Sequence, residues 1–192
     1  MTPSARTPPG VVFWFRSDLR LHDQPALAQA AELARGLGGW LLPLFVHDTR
    51  LQATTRWGFA RMGAHRRAWR AMALQALTDE LEALGSTLLQ VEGDPVDLLG
   101  HLLAQLNQPL LVCEDIPAPE EEAQVRALRA CGLHVRTVWQ STLVAPEALP
   151  FAPEAVPEQF TRFRQQLEAQ GVRAAPPIAA PTALPLPALH PA

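Results

Sequence analysis

The 192-residue chain has no lysine and no tyrosine, and all sixteen of its basic side chains are arginine. This bias is read as the codon usage of a GC-rich genome and carries no mechanism. No apolar run approaches the ~18 residues that a membrane helix needs, and the opening "MTPSARTPPG" lacks the apolar centre of a signal peptide. A cytoplasmic protein with no membrane partner is expected. The two cysteines, Cys113 and Cys131, sit in apolar surroundings without CxxC or histidine spacing. They read as core thiols and not as a disulfide or metal pair. His22, His47, His65, His101, His134 and His190 share no ligand spacing, so no metal site is expected. The phosphate-cradling signatures GxGxxG and GxxxxGK[ST] are missing, which argues against a dinucleotide dehydrogenase or a P-loop nucleotidase. No Ser/His/Asp or Cys/His order suggests nucleophilic catalysis. With a net charge of -3, the chain lacks the excess positive charge that a phosphate backbone needs, so free-standing nucleic-acid binding is disfavoured.

What is present is globular: 48% of the residues are hydrophobic. Apolar runs alternate with amphipathic stretches, the pattern of βαβ units and a parallel sheet. Strands are expected at 11–16, 40–46, 86–91, 109–114 and 134–139. Pro43 is awkward inside a central strand and suggests a bulge or an edge-facing N–H. Pro25 opens a first helix, and a long second helix is expected near Phe59 to Leu84. Asp94 followed by Pro95 marks the start of the third, and Gly132 stops the fourth. The fold class is therefore α/β: a doubly wound, five-stranded parallel Rossmann-like sheet with helices on both faces. Its ligands are expected beyond the carboxyl ends of the strands. The expected plan is a disordered N-terminus (1–10), the α/β domain (11–140), an extension with a loop and a short helix (141–171), and a Pro/Ala-rich linker or tail (172–192) that packs no core.

Three charged clusters stand out. After the first strand, "RSDLRLHDQ" alternates Arg16, Asp18, Arg20 and Asp23. Such residues either tie loops together in bidentate pairs or form a polar wall at a ligand or domain interface. Arg61, Arg66, Arg67 and Arg70 precede Asp79, Glu80 and Glu82 along the long helix, an order that opposes the helix dipole. Acidic loop partners or a neighbouring domain would hold those arginines; a solvated face is the plainer reading. Glu114, Asp115, Glu120, Glu121 and Glu122 surround the end of the fourth strand and the next helix start. They suit either N-capping or acceptance of hydrogen bonds from a ligand with ring N–H and amino donors, such as a pterin.

Together, "WFRSDLRLHDQPAL", "RRAWRAMALQALTDELEALGSTLLQVEGDPVDLL" and "STLVAPEALPF" with "VPEQFTRFRQQLE" resemble the N-terminal α/β domain of the DNA photolyase and cryptochrome family, and most of all its cryptochrome-DASH branch. Gln24 stands where that family usually carries asparagine. The resemblance implies a light-harvesting antenna domain that is not catalytic alone, with 5,10-methenyltetrahydrofolate as a possible antenna. Glu120 or Glu121 would face the pterin. Arg16, Asp18, Arg20, Asp23, Arg66 and Arg67 would form a structural network facing the interface. It also implies a helical FAD-binding domain as partner, in cis or in trans, with FAD and DNA engaged only through that domain. In the full-length family the activity is light-driven repair of pyrimidine dimers or photoreception. Trp14, Trp40, Trp57, Trp69 and Trp139 are not the family's electron-transfer chain, which belongs to the helical domain. The alternatives are a stand-alone binding or regulatory module without chromophore and, more weakly, a nucleotide-binding hydrolase or transferase of similar topology.

Overall fold

A computed structural model describes residues 9–186. The expected disordered N-terminus falls mainly on residues 1–8, and the tail's last stretch on 187–192; both lie outside the described residues. Five strands form one sheet: β1 (Gly10–Phe15), β2 (Trp40–Asp48), β3 (Leu89–Gly93), β4 (Leu110–Asp115) and β5 (Val135–Trp139). Their order is β3-β2-β1-β4-β5 and every pairing is parallel. Helices α1 (Pro25–Gly36), α2 (Ala64–Ala83), α3 (Pro95–Gln105) and α4 (Pro119–Ala130) make the crossovers, and α5 (Phe160–Ala169) follows β5.

Parallel sheets are covered on both faces, and β1 shows why this sequence obeys that rule. Its side chains alternate: Val11, Phe13 and Phe15 pack with α1 and with Leu74, Leu77 and Leu81 of α2. Val12 and Trp14 pack the other way, against Leu99 and Leu103 of α3 and Leu128 of α4. Each fully buried leucine of these layers contributes roughly 1.5–3 kcal/mol. Asp94 caps α3 by accepting from the Val96 amide at 2.9 Å, and Pro95 occupies the first turn. Gly132, at φ 83°, ends α4 in a conformation that a Cβ would strain.

Four expectations are corrected. Helix α2 begins at Ala64, not near Phe59, because Gly58 turns the chain at φ 85° and residues 53–61 fold back as a small hairpin bridged at Thr54 and Ala60. Of the two readings of Pro43 the bulge fails and the edge-facing nitrogen holds: β2 stays in register with β1 from Gly10↔Trp40 to Phe15↔Phe45. Its nitrogen faces the side where β3 has not yet started, since that pairing begins at Leu44. Cys131 is exposed, being the C-cap of α4, whereas Cys113 is buried in β4; both are free thiols.

The fourth correction concerns the Pro/Ala-rich segment, which does join the core. Leu184 is buried among the residues beneath α1 and α2. The Leu41 amide, on the open side of β2, donates to the Pro185 carbonyl at 2.7 Å, and Arg35 donates to the Ala183 carbonyl at 2.7 Å. Asp23 and Ile178 exchange two hydrogen bonds, Asp23 N–H to the Ile178 carbonyl at 2.7 Å and Ile178 N–H to Asp23 Oδ1 at 3.2 Å. Prolines cannot donate to a ladder, but their extended backbone still offers carbonyls to donors that the sheet leaves unpaired. Among the described residues no helix is long and apolar enough to cross a membrane.

Candidate functional site at the strand-order switch

Strand order reverses between β1 and β4, so the carboxyl ends of those strands open a crevice where doubly wound folds place ligands. Arg16, the residue after β1, spans it. The guanidinium lies 4.6 Å from the Trp14 ring centroid and donates to the carbonyls of Glu114 at 3.5 Å and Glu121 at 3.2 Å, and to Gln124 Oε1 at 2.7 Å. Burial lowers its pKa, and the neighbouring Cys113, Glu121 and Glu114 oppose that shift. Gln124 in turn donates to Asp48 Oδ2 at 3.4 Å. Asp48, at the end of β2, binds Arg50 through both carboxylate oxygens at 2.7–3.2 Å. Burial pushes the Asp48 carboxyl up, but its hydrogen bonds from Arg50 outweigh this and hold it below the usual range. Arg50 also reaches Asp94 at 3.4 Å.

A second group closes the loop before α1. Asp18 pairs with Arg20 at 3.0 Å and accepts from Gln140 Nε2 at 3.1 Å, while Gln140 Oε1 accepts from the Ala26 amide at 3.0 Å. Arg20 also donates to the carbonyls of His22 and Asp23, each at 2.9 Å. Buried Gln24 donates to the Asp18 carbonyl at 3.0 Å, and its Oε1 has no hydrogen-bond partner among the described residues. The residues expected to form one network thus fall into three places. Asp18, Arg20 and Asp23 are joined; Arg16 points instead to α4; Arg66 and Arg67 sit on α2, away from both. Arg67 donates to the Met62 carbonyl at 2.7 Å, and Arg66 is exposed without a hydrogen bond or ion pair among the described residues.

Glu120 and Glu121 open α4. The Glu120 carboxylate is exposed and ion-paired with Arg61 of the hairpin, whose hydrogen bond holds its pKa below the usual range. Glu121 contributes its carbonyl to Arg16. Glu114, like Asp48, is a buried carboxylate at this end of the sheet. One of the Glu114 oxygens accepts from Ser141 Oγ at 3.2 Å, the other has no hydrogen-bond partner among the described residues, and burial raises its pKa, helped by the charge of Asp18. Sequence reasoning placed Glu114 in the acidic cluster but did not single it out. Its position as the penultimate residue of a buried strand was the available signal.

The crevice itself is small, about 100 Å³, walled by Trp14, Arg16, Arg70, Glu120 and Gln124. Beside it a groove of about 380 Å³ runs between Asp48, Arg50, Arg61, Glu120 and Gln124. Glu120 lies on both. Among the described residues no cluster of three or more His, Cys, Asp or Glu could hold a metal ion.

The family profile described as DNA photolyase matches residues 11–184. The chain belongs to the DNA photolyase family. It is 33% identical over 181 residues to cryptochrome DASH of Synechocystis sp., covering 92% of this chain and 36% of that relative. Cryptochrome DASH of Gloeobacter violaceus is 34% identical over 186 residues, covering 94% and 36%. Of solved structures, the Synechocystis cryptochrome superposes with a TM-score of 0.88 at 31% identity, over 98% of this chain and 39% of that one. A class III photolyase from Agrobacterium tumefaciens gives 0.74 at 26% identity, over 100% and 38%. The Sulfolobus tokodaii photolyase, described with two FAD molecules and a novel light-harvesting cofactor, gives 0.74 over 92% and 38%; at 19% identity it shows the shared photolyase fold alone. The chain spans little more than a third of the photolyase relatives it matches.

Proposed function

We propose that this chain is the light-harvesting antenna domain of a photolyase or DASH-type cryptochrome, not catalytic alone, working beside a helical FAD-binding domain supplied in cis or in trans. Redox chemistry at the flavin and any contact with DNA would belong to that domain. The observation that carries the reading is Glu120, an ionised carboxylate shared by the switch-point crevice and the adjoining groove. Such a carboxylate accepts hydrogen bonds from the ring N–H and amino group of a pterin. A 5,10-methenyltetrahydrofolate would lie in the larger groove, of about 380 Å³, beside the crevice. There Arg50 and Arg61 would face the anionic end of the folate. When bound, the folate supplies absorption of light; the residues of this chain hold and orient it.

Titration of the purified chain with methenyltetrahydrofolate, read by the absorbance and fluorescence of the pterin, tests the proposal. Saturable binding that weakens about tenfold or more on Glu120→Gln, and less on Glu121→Gln, is expected, as befits loss of a charge-assisted acceptor. Absence of binding both alone and with a helical domain added would leave the second reading, a binding or regulatory module without chromophore. That alternative is favoured by one feature: Arg61 already occupies the Glu120 carboxylate.

A further inference from the structure

Gln140 and Ser141 leave β5 at the carboxyl end of the sheet and are held there by two acids from different parts of the chain. Gln140 Nε2 donates to Asp18 Oδ2 at 3.1 Å, and its Oε1 accepts from the Ala26 amide at 3.0 Å. Ser141 Oγ lies 3.2 Å from Glu114 Oε1 and 2.9 Å from the Asp115 carbonyl. The other side-chain hydrogen bonds of this segment among the described residues, from Trp139 to Thr142 and from Thr142 to the Val144 carbonyl, are local. Ser141, Thr142 and Leu143 are exposed, and beside them lies a hollow of about 360 Å³ walled also by Arg20, Trp139 and Ile178. The segment has few anchors and room to move.

The two acids belong to a cluster with a surplus of acceptors. Glu114 follows Val112 by two residues, so it faces the side of the sheet that α1 covers, and Gln24 is the residue before that helix. Glu114 is 8% exposed and Gln24 2%, yet Glu114 Oε2 and Gln24 Oε1 have no hydrogen-bond partner among the described residues. Buried acceptors without a donor are costly. A proton on Glu114 supplies the donor that this cluster lacks and removes a charge that Asp18 repels.

The groups around Glu114 do not reverse that preference. Burial and the charge of Asp18 favour the neutral acid, while Ser141, Arg16 and the Ser17 amide favour the ion; burial is the largest of these effects. Cys113 and Asp115 flank Glu114 on β4, and the first turn of α1, Pro25 to Ala28, carries no charge. Asp18 is itself countered by Arg20 at 3.0 Å, which also reaches Asp23 at 3.7 Å. An ionised Glu114 gains by turning towards water, and the contact it gives up in doing so is the one to Ser141.

We infer that Gln140 and Ser141 form a proton-operated flap, shut against Asp18 and Glu114 while Glu114 holds a proton and released when that carboxyl ionises. The hollow beside β5 thereby acquires a mouth that widens as pH rises. The inference does not depend on the antenna reading.

The Ala26 amide is the reporter. It lies in the first turn of α1, where no acceptor within the helix is available, and it relies on Gln140. Hydrogen exchange of the 192-residue chain, followed by NMR between about pH 4.5 and 7.5 and divided by the intrinsic rate, reads the opening. Ala26 should be protected well below the amides of the β1–β4 ladder and be nearly indifferent to dilute urea, as suits a local opening. Its protection should fall about threefold or more as pH rises through that range. Glu114→Gln should abolish the fall, and Asp18→Asn should move it to lower pH by removing the repelling charge. His22→Gln, at an exposed position of the same loop, should leave the profile unchanged. The inference is overturned if Ala26 exchanges only together with the ladder amides and with their urea dependence. A pH profile shared by wild type and Glu114→Gln, or one that Asp18→Asn does not move, overturns it equally.

Discussion

Arg16 and Gln124 stand 108 residues apart in sequence, yet a guanidinium N–H of one meets the amide oxygen of the other at 2.7 Å. That contact ties the end of the central strand to the helix on the far side of the switch point. The same guanidinium satisfies two carbonyls, so its removal strands several half-buried acceptors at once. Arg16→Ala should cost about 2–3 kcal/mol in urea unfolding and Gln124→Ala about 1 kcal/mol. Equal effects from the two would show that the guanidinium does no more than its one side-chain contact.

Glu114 sets a pH dependence. Its carboxyl is raised above the ordinary value of 4.5, first by burial and then by Asp18, so the folded state holds its proton more tightly than the unfolded chain does. Stability from this group is present below the unfolded value and is lost as pH rises through the folded one. Glu114→Gln, which cannot ionise, should therefore gain on the wild type as pH climbs from about 4.5 towards neutrality. Urea midpoints compared at the two ends of that range would reveal it, and a constant difference would refute the assignment.

Asp94 does two jobs, capping α3 and bracing Arg50. Asp94→Ala should cost about 1 kcal/mol, most of it from the cap. Asp94→Asn keeps an acceptor for the Val96 amide and should recover the larger part. Calorimetric unfolding of both variants measures the split.

Leu184 lies in a segment whose composition hides its burial. Leu184→Ala should lower stability by about 2–4 kcal/mol, as for other leucines lost from a packed layer. Leu143→Ala, at an exposed position of comparable size, should change it by less than about 0.5 kcal/mol. Parallel denaturant titrations of the two variants make the comparison direct.

The order of strands and helices was legible because burial on both faces leaves continuous apolar runs such as "VVFWF", and because Pro25, Asp94-Pro95 and Gly132 punctuate them. The start of α2 was not. Phe59 falls at a plausible helical spacing, and only the positive φ of Gly58 reveals the hairpin before it. Leu184 was hidden for a different reason: among prolines and alanines a single buried leucine has no periodicity to betray it. The charged residues after β1 stand out by type, but pattern alone does not say which of them meet. Arg16 chooses Gln124 over Asp18 because the strand's end aims it across the sheet, a long-range fact of topology. That Arg66 has no ion-pair partner among the described residues is likewise a property of what surrounds it in space.

The strap from Ile178 to Pro185 also carries a message about time. Asp23 is bonded to a residue 155 positions later, and the open edge of β2 waits for a carbonyl from Pro185. A chain emerging from the ribosome can have all five strands in hand once Trp139 is out, and still expose the Leu41 amide and the hollow that Leu184 fills. The sheet is drawn early, and its last seam closes only when residues 178 to 185 have been made. Contacts this distant in sequence make folding slow. For this domain, the fold cannot be completed before Pro185 has been made.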